Sequence, residues 1–311
     1  MKLFTKIIAL TAALCVFFLF NIYVIVPKYN EGTLYGSYTQ KIERAQQIHE
    51  RKCVFIGGSA TNLALDSQKF EELTGMPTCN LAISASVPLR TYMQAARNCV
   101  REGDVIILTP EYGYYSTDPY KIDEAYIDMV SIDPNLKTPE KGRGHIDYYA
   151  TRFLRSFTCL NDVFTFQIKN ALSSNNTIYI ADSVDQYGDF SLHKGRTPTY
   201  SRKISSAKFT YKKEVFSLIN SFIDEMEKRN VTVYVTYPPI DGGSYRNTQQ
   251  YFSQVQEAIE AHIHQKNIIG TPFDFLYDED FFFDTVYHIR YENRETYTTD
   301  LYEAYAGHCV G

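Results

Sequence analysis

The sequence of 311 residues has no tryptophan, no Cys-x-x-Cys pair, no Gly-x-Ser-x-Gly motif, no internal repeat and no excess of basic charge. With 31 Lys+Arg against 36 Asp+Glu, the formal charge is −5 and the pI is near 5.8. That balance argues against a general nucleic-acid binder, whose phosphate contacts need a basic face. Five cysteines, Cys53, Cys79, Cys99, Cys159 and Cys309, lie outside the apolar N-terminus. Their number is odd and their spacing is not that of a zinc site, so no metal is expected. Buried free thiols are the better reading, and a single disulfide of unassigned partners is the alternative. Charged residues make up 22% and hydrophobic residues 44%, which excludes global disorder and calls for a sizeable core. Tyr (26) and Phe (20) are abundant. Tyr-rich surfaces line sugar or peptide sites, but most of these rings are expected to pack in or beside the core.

Lys2 and Lys6 precede an apolar run from Ile7 to Val26 that only Thr11 and Asn21 interrupt. Twenty residues at ~1.5 Å each cross the ~30 Å hydrocarbon of a bilayer. A cleaved signal peptide has a shorter apolar centre and then a small-residue cleavage site, but here Asn21–Val26 continues the run. Leu14 stands where a lipoprotein signal ending at Cys15 would place a small residue. Pro27 and Lys28 close the segment, and Lys2 and Lys6 on the short N-terminal side favour that side facing the cytoplasm. Residues 1–27 are therefore expected to be an uncleaved signal anchor in the cell membrane, single-pass through residues 7–26. Residues 28–311 are then extracytoplasmic, with a net charge of 29 − 36 = −7.

Residues 28–50 read as a stalk or first amphipathic helix, leaving 51–311 as the main domain. Cys53–Ile56, Thr78–Ile83, Asp104–Thr109 and Val231–Thr236 are short apolar runs with the look of buried parallel strands. Helical spacing over Pro88–Val100, Val215–Met226 and Phe252–His264 alternates with them, followed by Asn267–Ile269 and a terminal helix after Tyr291. This alternation predicts an α/β fold, a three-layer α/β/α sandwich around a parallel sheet. Residues 116–206, polar and Tyr-rich, break the rhythm and read as an insertion over the carboxyl edge of the sheet.

Two segments carry candidate chemistry. Gly57-Gly58-Ser59 follows the first strand, placing a serine where open α/β sheets bind ligands. The helix that starts there aims amides at the same spot, where an oxyanion would be stabilised. Asp284-Thr-Val-Tyr-His288 sets an acid and a histidine in one short loop anchored by Phe281–Phe283, so that Asp284 orients His288 and His288 takes a serine proton. A helix-capping turn and a surface loop are the bland alternatives for these two segments. Glu111 and Asp189 are cleft candidates, with a cap or ion-pair role slightly favoured for both. His262 and His264 face different ways on a helix, and His193 and His308 have no visible ligand partners.

Together these segments resemble the SGNH (GDSL-like) hydrolase superfamily, in its membrane-anchored, extracytoplasmic branch related to O-acylation of cell-wall and exopolysaccharide chains. The likeness runs in order from Gly57–Ser67 through Gly103–Tyr112, Gln186–Asp189 and Tyr237–Pro239 to Phe283–His288. It implies a flavodoxin-like sandwich with Ser59 as nucleophile, His288 as base and Asp284 as its orienter, and no cofactor. It also implies an acyl-ester or glycan substrate and a membrane-bound O-acyltransferase as a possible partner. The superfamily's oxyanion glycine and asparagine are missing, since the second block reads Asn80–Ser86 and the third has Glu111-Tyr112. Backbone amides of Ser59 and of the turn Ser84, Ala85, Ser86 are the candidate donors instead. An esterase or O-acyltransferase and a non-catalytic accessory protein of the same fold are the two functions this sequence supports.

Overall fold

A computed structural model describes residues 2–139, 144–172 and 178–310. The N-terminus is one long helix: α1 (Lys2–Phe20), a π-helical turn at Asn21–Ile25, and α2 (Val26–Glu31). The π turn lies just ahead of Pro27, which has no N–H to give to the preceding turn. The helix runs on to Glu31 instead of stopping at Pro27. From Leu3 to Glu31 it is long and apolar enough to cross a membrane, on length and composition.

The segment expected as a stalk is packed into the domain. Asn30 in α2 donates to Asp128 Oδ1 at 2.9 Å and Ser131 Oγ at 3.1 Å. In α3 (Ser37–Gln47), Tyr38, Ile42 and Ala45 recur at helical spacing and are buried in the main core. Helix, not stalk, is the part of that reading that these residues adopt.

The centre is a parallel sheet. β1 (Cys53–Gly57) is followed by α4 (Ser59–Ala64), α5 (Ser67–Thr74), β2 (Thr78–Asn80), α6 (Leu89–Arg97) and β3 (Val105–Thr109). Next come α7 (Tyr112–Ser116), α8 (Glu124–Ile132), α9 (Gly144–Leu172), α10 (Lys213–Glu227) and β4 (Thr232–Val235). The strand order is β2-β1-β3-β4, all parallel, with Cys53 opposite both Thr78 and Val105, and Val105 opposite Thr232. β1 and β3 are buried on every residue, as strands covered on both faces must be. Each buried Val, Ile, Leu or Phe there is worth about 1.5–3 kcal/mol.

After β4 the chain forms β5 (Ile240–Asp241), α11 (Thr248–His262), β6 (Leu276–Tyr277) and α12 (Arg294–Val310), with β5 and β6 paired in a separate ribbon. The strand expected at Asn267–Ile269 is a single bridge, Val235 to Ile268. Asn267 Nδ2 takes the Val233 carbonyl at 2.8 Å, so a longer ladder on β4 loses an acceptor there. α6 and α10 are joined by Arg97–Glu225, while α5 meets α12 through Phe70 and Tyr305. Helices thus cover the sheet in two groups, consistent with a three-layer sandwich. Cys53, Cys79, Cys99 and Cys159 are buried free thiols, and the Cys309 side chain lies outside the described residues.

In this order β1 and β3 are neighbours from which the chain departs in opposite directions, and the crevice at their carboxyl ends is where doubly wound sheets bind ligands. Ser59 follows β1 and Glu111 follows β3. The insertion reaches the same edge, where Tyr187 O accepts from Asn80 N at the end of β2. It returns through Tyr200 and Arg202, both bonded to Asp241 in β5.

Candidate active site

The turn after β1 needs glycine. A Cβ on Gly57 would lie 2.5 Å from Thr61 Oγ1 and 2.6 Å from the Thr109 carbonyl, and one on Gly58 would overlap Glu111 Oε1. With no side chain there, the backbone drops directly into α4 and leaves Ser59 half-buried at its first position.

Glu111, at the N-cap of α7, reaches back over this turn. Its Oε1 accepts from Ala60 N at 2.8 Å and from Ser59 Oγ at 3.2 Å. Only 6% of the residue is exposed. Burial pushes its carboxyl above the usual range, against the opposing pull of the Ala60 amide, the nearby His288 charge and the Ser59 hydroxyl. The carboxylate therefore occupies the Ala60 amide, one of the α4 amides aimed at this spot. Glu111 thus caps the first turn of α4, as its favoured structural reading has it, and its side chain also touches the serine itself.

The Asp284–His288 loop is a tight turn closed by Phe283 N to His288 O at 2.7 Å. Phe283 packs with Leu63 of α4 and Phe190 of the insertion, which fixes the turn beside α4. The insertion grips its other side, since Thr199 N and Tyr200 N both donate to Phe283 O, at 2.7 and 2.8 Å. His288 Nδ1 and Asp284 Oδ1 are 2.7 Å apart, and Tyr179 OH donates to Asp284 Oδ2 at 2.6 Å. Burial opposes ionisation of Asp284, but the hydrogen bond and charge of His288, with help from Tyr179, hold its carboxyl below the ordinary range. An ionised Asp284 keeps the proton on Nδ1 and leaves Nε2 as the basic nitrogen.

Among the described residues, the hydrogen-bond partner of the Ser59 hydroxyl is Glu111, and no bond joins it to His288. The acid–base pair is assembled in a turn packed against α4, and the serine that opens α4 is held by a different carboxylate.

The remaining candidates divide. Ala85 and Ser86 line a cavity of about 180 Å³ that opens on Glu111 and is walled by Leu89, Tyr114 and Val215; neither Ser59 nor His288 lines it. A wider trough of about 670 Å³ adjoins it through Ala85 and Ser86 and includes Tyr29, Lys121, Asp128 and Arg155. Ser84 is a poor oxyanion donor, because its amide already gives to Tyr92 OH at 2.8 Å. Tyr112 does not line the cleft; its ring is buried against Phe209, Tyr251, Phe252 and Tyr287.

Asp189 is not in the cleft either. It is fully enclosed, paired with Arg294 at 2.9 Å, and accepts from Ser67 N, Ser67 Oγ and Asn80 Nδ2. Beside it Lys41 donates to Asn62 Oδ1, Asn80 O and Gly188 O, and burial lowers its ammonium to about 7. This network ties the insertion to the sheet beneath the site. His262 stacks on Phe216, His264 reaches Asp224, and His308 meets the Lys266 carbonyl. Among the described residues no group of three or more His, Cys, Asp or Glu is placed to hold a metal.

One contributor, Tyr179, was outside the reach of sequence reasoning. Tyr179 lies 105 residues from Asp284 in a segment without a motif. Glu111 carried a detectable signal, being an acid two residues after a strand buried along its whole length. The chain matches no protein-family model and no curated protein.

Proposed function

We propose that this protein is an SGNH-type serine esterase or O-acyltransferase, anchored in the cell membrane by residues 1–27 and acting outside it on a cell-wall or exopolysaccharide glycan. The observation that carries this reading is the Asp284–His288 pair at 2.7 Å, braced by Tyr179 and fixed beside the Ser59 turn at the sheet's carboxyl edge. In the reaction, Ser59 Oγ bonds to the acyl carbonyl carbon, its proton passes to His288 Nε2, and the carbonyl π pair becomes an oxyanion. Collapse expels the first alcohol, which takes the proton from His288. Water or a glycan hydroxyl then attacks the acyl-serine by the same steps in reverse. For this, Ser59 exchanges Glu111 for His288, and Glu111 vacates the Ala60 amide. A polytopic membrane-bound O-acyltransferase, contacted through residues 1–50, is the partner that would supply acyl groups.

The hydrogen bond from Ser59 to Glu111 favours a second reading, a non-catalytic accessory protein that binds a glycan or a membrane acyltransferase. The full-length chain in detergent, given p-nitrophenyl acetate, separates the two. The enzyme reading expects p-nitrophenol release that Ser59→Ala abolishes, and equal rates in wild type and Ser59→Ala would overturn it.

A further inference from the structure

α9 carries an outward apolar face that, among the described residues, stays largely exposed. Of eight large hydrophobic residues exposed outside the N-terminal helix among the described residues, six lie on α9: Ile146, Tyr149, Phe153, Leu154, Phe157 and Phe164. Residues 146, 149, 153, 157 and 164 follow at intervals of three, four, four and seven, which puts them on one side of the helix. The opposite side is fastened to the domain. Arg155 is buried, pairs with Asp128 of α8 at 2.8 Å, and shares that carboxylate with Asn30. The rotation of α9 is therefore fixed, with the apolar stripe outward.

That stripe is continuous with the N-terminal helix. Phe18 of α1 packs on Phe153 and Phe157 with ring centroids 4.6 and 5.0 Å apart. Phe18 lies eight residues before Val26, about 12 Å along the axis at ~1.5 Å per residue. Arg152 sets its guanidinium 4.6 Å from the Tyr23 ring centroid, and Tyr149 lies nearby on the exposed side. Arginine and tyrosine at this level are the side chains of a membrane–water boundary.

We propose that α9 is a second membrane element: an amphipathic helix whose stripe from Ile146 to Phe164 is embedded in the lipid of the same leaflet that α1 leaves. The proposal rests on the reading that α1 crosses a membrane. An amphipathic helix of this kind sits at the headgroup–acyl boundary, about 5–10 Å deep; the Arg152–Tyr23 contact lies at that level and the Phe18 contact just below it. One consequence concerns the trough lined by Tyr29, Arg155 and Asp162, which then opens at the bilayer surface, within reach of a lipid-borne substrate.

The test is spin-label accessibility on the full chain in phosphatidylcholine–phosphatidylglycerol nanodiscs, with Cys15 and Cys309 replaced. Labels go in turn at Ile146→Cys, Leu154→Cys and Phe164→Cys, at Leu10→Cys as the hydrocarbon reference, and at Ser217→Cys as the aqueous one. All five sites are exposed, so folding is retained. The three α9 sites are expected to show an oxygen-to-nickel-chelate collision ratio at least threefold that of Ser217→Cys. Nickel access equal to Ser217→Cys, with Leu10→Cys in hydrocarbon, overturns the proposal and leaves the anchor intact. Shielding from both reagents means a protein surface covers α9, which also overturns it. Aqueous behaviour at Leu10→Cys removes the anchor reading, and this inference with it.

Discussion

Replacing Glu111 with glutamine should make Ser59 more reactive, not less. In the resting protein Glu111 Oε1 holds the Ala60 amide at 2.8 Å and the Ser59 hydroxyl at 3.2 Å. An acyl oxyanion needs that amide, and Ser59 must turn to His288 before it attacks. Breaking a hydrogen bond to a charged group costs about 1.5–3 kcal/mol. At about 1.4 kcal/mol per tenfold in rate, Glu111→Gln should speed acylation roughly 10- to 100-fold. Stability should move the same way. Burial raises the Glu111 carboxyl in the folded state, so its favourable contribution is present below the unfolded-state value and is lost as pH rises through the folded one. At pH 7.5 the wild type bears that loss and Glu111→Gln does not. The variant's urea midpoint should therefore be higher at pH 7.5, with the gap closing toward pH 4. The assay is the time course of phosphonate adduct formation by intact mass on full-length protein in detergent, with Ser59→Ala as blank. Acylation slowed tenfold or more in Glu111→Gln would refute the reasoning, because it would make the carboxylate itself the acceptor of the serine proton.

Other perturbations test neighbouring parts. Asp284→Asn should slow the same labelling by about 10²- to 10⁴-fold, and less than His288→Ala does, since the ring loses its orienter but keeps a basic nitrogen. Asp189→Ala strands the Arg294 guanidinium in a buried site and should cost about 3–5 kcal/mol in urea unfolding; a loss under about 1 kcal/mol would show that the network does not hold the insertion. His193 is lowered to about 4 by burial and by the Arg294 charge. Its folded value lies below its unfolded one near 6.5, so the unfolded chain takes up the proton first and stability falls as pH drops from about 6.5 to about 4. At about 1.4 kcal/mol per pH unit the loss approaches 3 kcal/mol, and His193→Phe, among Phe190, Phe283 and Tyr291, should flatten the profile.

The parts of the fold legible in the sequence were those where one physical requirement dominates. β1 and β3 are buried on both faces, so their residues are apolar up to the closing Thr109, and their runs were visible at once. Ser59 was legible because it follows the first of these, and Asp284 and His288 because four residues separate them. Asn267–Ile269 looked like a strand because only its apolar character could be seen, while the Asn267 side chain that takes the β4 carbonyl could not. Residues 28–50 left a stalk and a first helix both open, because Lys41 and the surrounding polar residues hide the Tyr38, Ile42 and Ala45 stripe, and burying Lys41 depends on acceptors from three distant segments. Tyr179 and the hold of Glu111 on Ser59 are products of tertiary contact, with no local pattern to announce them.

The nucleophile is the point on which everything else turns, and a serine-directed fluorophosphonate reaches it directly. Wild-type full-length protein, incubated in detergent at pH 7.5 and digested, should carry one phosphonyl adduct, on the peptide that contains Ser59. The adduct should vanish in Ser59→Ala and fall sharply in His288→Ala, with both variants unfolding within about 1 kcal/mol of wild type. An adduct of undiminished yield in Ser59→Ala, or none in either the wild type or Glu111→Gln, would contradict the assignment of Ser59 as the nucleophile.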